Sequence, residues 1–280
     1  MSQIENSKSS TLPVVGAAVM IDDLERLHNW VLESARDLEI QDFCHAEVLN
    51  GDWKILADRY KPLLDGHGGR MGIHGPFWGL DIASQDPDIR KLVTHRMKQG
   101  LDVCEALNAT HMVIHSPYTT WDHNNLDSNP GARESVVARA HQTLGETVRR
   151  ASDLGVVLVI ENIEDIDPYL RVELARSFDS ETVRVSLDTG HAHYAHGSNG
   201  APPVDYYVKA AGKQLAHIHL QDADGYADRH WAPGEGSIHW HAVFDAIHRH
   251  CDNPRLILEL KDGGKIQQGA EHLAALGLVR

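Results

Sequence analysis

Short apolar runs recur along the chain, and between them apolar positions repeat at helical spacing. Residues 14–20 (VVGAAVM) form the first run and read as a buried strand. Asp22 and Asp23 behind it are candidate helix caps, and Leu24, Leu27, Trp30, Val31 and Leu38 then repeat with helical period. A second strand is expected over residues 43–48, with a helical pattern continuing to about Leu64. RMGIHGPF carries the third strand, ending at His74. Asp86-Pro87-Asp88 opens a helix with proline in the first turn, and Ile89, Leu92, Val93, Leu101 and Cys104 make its apolar face. HMVIHSPY carries the fourth strand, ending at His115, and residues 119–132 read as a polar loop. The next helix has Val137, Ala140, Leu144, Val148 and Ala151 on one side and stops at Gly155. VVLVIE, VRVSLD and LAHIHL are strands five to seven, ending at Glu161, Asp188 and His219, with a short helix near 168–177 after the first of them. A helix over 240–250 precedes RLILEL, the eighth strand, which ends around Glu259, and a last helix fills out to Leu278.

Strands alternating with helices imply a parallel sheet, and near-continuously apolar strands imply burial on both faces. Eight such units in roughly 270 residues favour an α/β chain closed into a single (β/α)8 barrel over an open sheet. The domain is expected to run over residues 13–280, with residues 1–12 expected as a disordered polar tail. No G-x-G-x-x-G follows the first strand, which disfavours a dinucleotide-binding fold.

The balance of 26 Lys+Arg against 40 Asp+Glu gives a net charge of −14, which argues against a broad basic footprint for nucleic acid. Bound metal would nevertheless bring positive charge of its own. Cys44, Cys104 and Cys251 are scattered and form no C-x-x-C, as free thiols of a reducing compartment do. No apolar run approaches the ~20 residues of a membrane span. The first residues lack the features of a signal peptide. A cytoplasmic protein is expected, and the exposed helices are compatible with a homo-oligomer.

In a parallel barrel all C-terminal strand ends lie on one face, where active sites of this fold are built. Six consecutive strands end there in His74, His115, Glu161, Asp188, His219 and Glu259. Imidazole and carboxylate are the side chains that hold zinc, manganese and related ions. His191 in DTGHAH, and Asp228 with His230 in DRH, are further candidates for metal or substrate binding. His217, two residues before His219, points inward one layer deeper and suits a packing or supporting role. His193 and Asp222 are weaker candidates, His239 is expected on the surface or a helix, and Trp78, Trp121 and Trp231 sit in loops on the same face.

IEN at Glu161, LDTGHA at Asp188, HLQD at His219, the D-x-H…PGEG run and LEL at Glu259 together resemble the xylose isomerase-like TIM barrels. That family joins sugar and sugar-phosphate isomerases and epimerases to the AP endonucleases of family 2, the endonuclease IV type. The resemblance spans nearly the whole chain. In the isomerase branch it implies one divalent ion (Mn2+, Zn2+, Co2+ or Mg2+) on Glu161, Asp188, His219 and Glu259. The two glutamates would pass a proton through an enediolate of a sugar, keto-sugar or sugar phosphate. In the endonuclease branch it implies three zinc ions cleaving abasic-site DNA. One would be held by His74, His115 and Glu161, a second by the quartet, and a third by His191, Asp228 and His230. Residues 77–87 and 119–130 carry no Arg or Lys to neutralise phosphates, so the isomerase or epimerase ranks first. A lyase or dehydratase on the same metal is a third reading. His239 stands where the family pattern has Asp before Trp240.

Overall fold

The computed structural model describes residues 12–280, so the tail expected over 1–12 lies outside the described residues except for Leu12. Each strand is only a few residues long and pairs in parallel with the strands before and after it in sequence. The sheet closes in chain order: β1 (Gly16–Val19), β2 (Leu38–Ile40), β3 (Met71–His74), β4 (His111–His115), β5 (Val157–Glu161), β6 (Val183–Asp188), β7 (Leu215–Leu220) and β8 (Arg255–Leu258), with β8 against β1. Helices make every crossover, and the expected single (β/α)8 barrel is what the chain forms.

Several local expectations are corrected. β2 lies at Leu38–Ile40, not at 43–48, where the chain instead makes a tight turn (Asp42–Cys44) and a short helix (Ala46–Asn50). Leu38 therefore belongs to this strand and not to the first helix, Ile21–Glu33. Three residues reading apolar, acidic, apolar leave no apolar run to see, because Glu39 at their centre is buried inside the barrel. Asp22 and Asp23 sit in the first helical turn and do not cap it; the Ile21 N–H donates to Asp42 Oδ2 at 3.0 Å. Asp86 caps the helix Pro87–Leu107 as expected, accepting from the Asp88 N–H at 2.8 Å. Ile89 and Leu92 on that helix are 41% and 45% exposed, and Met97, Gly100 and Leu107 join the buried face in their place. The stretch read as a polar loop holds a helix, Thr120–Asn125, started by reciprocal bonds between Thr119 and Asp122. Between β6 and β7 stand two helices, Thr189–Asn199 and Val204–Ala211.

The barrel interior is partly polar. Arg255 enters it from β8 and donates to the Thr110 hydroxyl, and its terminal nitrogen passes close to Gly72 of β3. At the opposite end from the strand termini the chain closes on itself: the Arg280 N–H donates to the Pro13 carbonyl at 3.0 Å.

Candidate metal centre

Side chains two apart on a strand share a face, so His217 and His219 of β7 both enter the barrel. Strand register sets His115 beside Glu161 and Asp188 beside His219. Glu161, Asp188, His219 and Glu259 each bring a ligand-type atom to within 4.8 Å of the others, and all four side chains are buried. His74 and His115 form a second such group with Glu161, and His191, Asp228 and His230 a third. His74, His115, Glu161, Asp188, His191, His219, Asp228, His230 and Glu259 are therefore each brought into one of these groups. Glu39 makes a further group with His217 and His219.

The imidazoles are held in defined orientations. Nδ1 of His74 lies 2.9 Å from the Gly75 carbonyl, that of His191 2.9 Å from the Asn162 carbonyl, and that of His230 3.2 Å from the Glu259 carbonyl. A ring nitrogen facing a carbonyl carries a proton, so Nε2 is the nitrogen each ring turns toward the mouth, where a metal ion would replace any proton it holds. Those Nε2 atoms face carboxylates: His74 is 3.7 Å from Glu161 Oε2, while His191 and His230 are 3.4 and 3.2 Å from Asp228 Oδ2. His115 Nε2 is 3.5 Å from Glu161 Oε2, with its ring stacked on Phe77 at 4.2 Å. His219 is turned the other way, with Nδ1 2.5 Å from Glu161 Oε1 and 3.2 Å from Glu259 Oε2.

Charge follows from this crowding. Burial pushes the Asp188 carboxyl up to about 6, against the pull of His191 and His230. Burial works against ionisation of Glu161 too, but His219, His74 and His115 outweigh it and hold the carboxyl well below its ordinary range. Burial pushes His115 down to about 3, the neutral form a ligand needs. Burial also opposes a charge on His230, yet Asp228, Glu259 and Asp188 raise it to about 9. Asp188 Oδ1 accepts from the His191 N–H at 2.7 Å, whereas Oδ2 is buried with no hydrogen-bond partner. A buried carboxylate oxygen without a donor, among imidazole nitrogens and carboxylates, fits a divalent cation.

Supporting residues escaped the sequence reading. Gln221 donates to Asp188 Oδ1 at 3.1 Å and to Asp228 Oδ1 at 2.9 Å, and accepts from the His230 N–H at 2.9 Å. Asn162 accepts from the Asp188 N–H at 2.8 Å and donates to the Asp188 carbonyl at 3.0 Å. Gln41 donates to Glu259 Oε1. Asn162 and Gln221 stand inside the IEN and HLQD runs, so their signal was present. Gln41 and Glu39 were hidden with β2. His230 holds a φ of 50°, a left-handed strain of the kind that persists where surroundings over-determine it.

Other candidates fall outside the centre. Asp222 accepts from the Ala223, Gly234 and Ile238 N–H groups and from the Trp240 indole, and so pins the loop after β7. His193 pairs with the Ser237 hydroxyl, and His239 is an exposed helix-start residue. His217 has the supporting place expected, its Nδ1 2.8 Å from Ser186 Oγ. Trp78 and Trp121 are 65% and 66% exposed on the rim, and Arg229 stacks over Trp231 at 5.2 Å. Beside the third group lies a cleft of about 250 Å³ lined by Asp228, Arg229, His230, Trp231, Lys261 and Lys265, among others. Arg229 is paired there with Asp224 and Lys265 with Glu235.

The chain belongs to the family of xylose isomerase-like TIM barrels, whose pattern matches residues 40–276. The uncharacterized protein MJ1311 of Methanocaldococcus jannaschii is 26% identical over 200 residues, which cover 69% of this chain and 62% of that protein. The D-psicose 3-epimerase of Ruminiclostridium cellulolyticum is 26% identical over 229 residues, covering 76% of this chain and 71% of the epimerase. A solved structure of the TTHB071 protein from Thermus thermophilus, soaked with ZnCl2, superposes with a TM-score of 0.66 at 25% identity. The superposition covers 94% of this chain and 98% of that one. Among the described residues no helix is long and apolar enough to cross a membrane.

Proposed function

We propose that this protein is a divalent-metal-dependent epimerase or isomerase of a sugar, keto-sugar or sugar phosphate. The carrying observation is the convergence of Glu161, Asp188, His219 and Glu259 within 4.8 Å at the mouth of the barrel. Likeness to a D-psicose 3-epimerase supports it. A divalent ion held by these four residues would polarise a carbonyl and its neighbouring hydroxyl, which lowers the cost of removing the proton between them. Asp188 and His219 hold and orient. Asp188 is anchored by Asn162 and Gln221 and keeps Oδ2 free. Glu161 and Glu259 approach from β5 and from the end of β8, and both reach His219 Nδ1. One takes the proton α to the carbonyl and the other returns a proton to the opposite face. Phe77 packs against the rings of both His74 and His115 at 4.8 and 4.2 Å.

Glu161→Gln and Glu259→Gln are each expected to cut turnover by about 10²–10⁴, the usual share of a general acid or base. The check is epimerisation of a panel of ketoses and their phosphates with manganese, cobalt or zinc, beside circular dichroism to show that the barrel still folds. A variant that turned over at the wild-type rate would remove its glutamate from proton transfer.

A zinc phosphodiesterase acting on abasic-site DNA is the second reading, and one observation favours it. Glu161 belongs both to the quartet and to the His74–His115 group, as a bridging ligand would, and the His191–Asp228–His230 group stands beside them. Metal content per chain, read with cleavage of an abasic-site duplex, separates the two. About one ion without cleavage supports the epimerase; about three zinc ions with cleavage supports the phosphodiesterase.

A further inference from the structure

Building on the metal-dependent reading above, we infer that Glu39 is a positioning residue that commits His219 to bind metal through Nδ1. Glu39 stands in the middle of β2 with 2% of its surface exposed. A carboxylate so deep in a barrel is costly unless it is paired, and the ion pairs it makes are with His217 and His219. Its Oε1 lies 2.9 Å from Nε2 of His219. An ionised carboxylate only accepts hydrogen bonds, so Nε2 carries the proton. Nδ1, on the other side of the ring, faces Glu161 Oε1 at 2.5 Å and Glu259 Oε2 at 3.2 Å, and is the one nitrogen that can exchange a proton for a metal ion at the mouth.

This reverses the arrangement of the neighbouring imidazoles. His74, His191 and His230 rest Nδ1 on a main-chain carbonyl and offer Nε2. His219 offers Nδ1, and the nitrogen that needs an acceptor points into the barrel interior. Strand carbonyls there are committed to the ladder between strands, so the acceptor has to be a side chain reaching in from another strand. Glu39 supplies it. The same carboxylate is braced on its other oxygen, since Oε2 lies 2.9 Å from Nε2 of His217, close but out of hydrogen-bonding alignment. His217 is itself anchored to Ser186, and its ring stands edge-on to His219 at 4.6 Å. A carboxylate behind a ligating imidazole fixes its tautomer and raises its basicity, and loss of such a partner typically weakens metal binding by about 10–100-fold.

The test uses the full chain with zinc as probe. Zinc affinity is measured by competition with a chromophoric chelator for wild type, Glu39→Gln and Glu39→Ala, with circular dichroism as the folding control. Nitrogen NMR of histidine-labelled protein reads the tautomer of His219, assigned by the signal lost in His219→Gln. In the zinc-loaded wild type we expect Nε2 to keep its proton and Nδ1 to carry the metal-shifted resonance. Affinity should fall about 10–100-fold in Glu39→Ala and less in Glu39→Gln, which keeps the volume and an acceptor oxygen. Should the alanine variant fail to fold, the glutamine variant and the wild-type tautomer still decide. Wild-type affinity in the folded variants, with His219 still protonated on Nε2, would reduce Glu39 to a space-filler and overturn the proposal. A wild-type chain that takes up no zinc gives a different signal, and would overturn the metal reading and this proposal together.

Discussion

Gly190 shows how tightly single residues are constrained around the site. A Cβ at that position would overlap Cδ of Gln221, whose amide links Asp188, Asp228 and His230. Gly190→Ala must therefore displace Gln221 or the start of the helix behind Asp188. We expect a loss of about 1–3 kcal/mol, the usual cost of overpacking, measured by urea unfolding, together with weaker zinc uptake. Unchanged unfolding and zinc uptake would mean that Gln221 has room to move aside. Such constraints were only partly legible in the sequence. Residues that end an apolar run in His, Asp or Glu announce themselves, so six of the nine side chains of the three mouth groups could be named that way, and His191, Asp228 and His230 from the polar runs DTGHAH and DRH. A residue whose part is to steady another has no period of its own. Gln221 and Asn162 were visible as letters in a motif but not as hydrogen-bond partners, and Glu39 fell between the first helical pattern and the strand expected at 43–48.

At the scale of elements, legibility followed cap chemistry and apolar period. The helices Pro87–Leu107 and Trp240–His250 start where the sequence indicates. β2 was misplaced because three residues alternating about a buried Glu present no apolar run. The helix Thr189–Asn199 was missed because TGHAHYAHGSN offers almost no apolar period, being held by the Asp188 cap and its place at the mouth. The helix Trp240–His250 begins at His239, which makes no side-chain cap bond. Asp at that position would accept from the first free N–H groups and face the positive end of the helix dipole. His239→Asp is expected to stabilise the protein by about 0.5–2 kcal/mol, seen as a higher thermal midpoint. No gain would mean that the helix start is already satisfied by solvent or fixed by Trp240.

For the whole molecule, the eightfold alternation made the barrel, and the face on which the acids and imidazoles gather, readable from the chain alone, because closure follows from repeated short units. What alternation cannot convey is the charge stored inside. The chain carries −14 overall, and buried acids and imidazoles crowd the mouth and the layer beneath it. An ion binding the folded barrel but not the unfolded chain stabilises by mass action, by about 4 kcal/mol at a thousandfold excess over its dissociation constant. The thermal midpoint should therefore rise as zinc or manganese is titrated into chelator-treated protein, and fall again on adding a chelator. A midpoint indifferent to both would leave these groups as a salt-bridge network without an ion.

The bond from the Arg280 N–H to the Pro13 carbonyl has a consequence for connectivity. The two ends of the barrel sequence already touch, on the face away from the clustered ligands. Joining residue 280 to residue 12 through a short glycine linker, and opening the chain between Asp65 and Gly66 in an exposed loop, would reorder the polypeptide without moving a strand. Such a circular permutant should load the same amount of zinc per chain as the parent. The barrel would then be a ring with no privileged starting point, in which the order of synthesis is incidental to where the ligands meet.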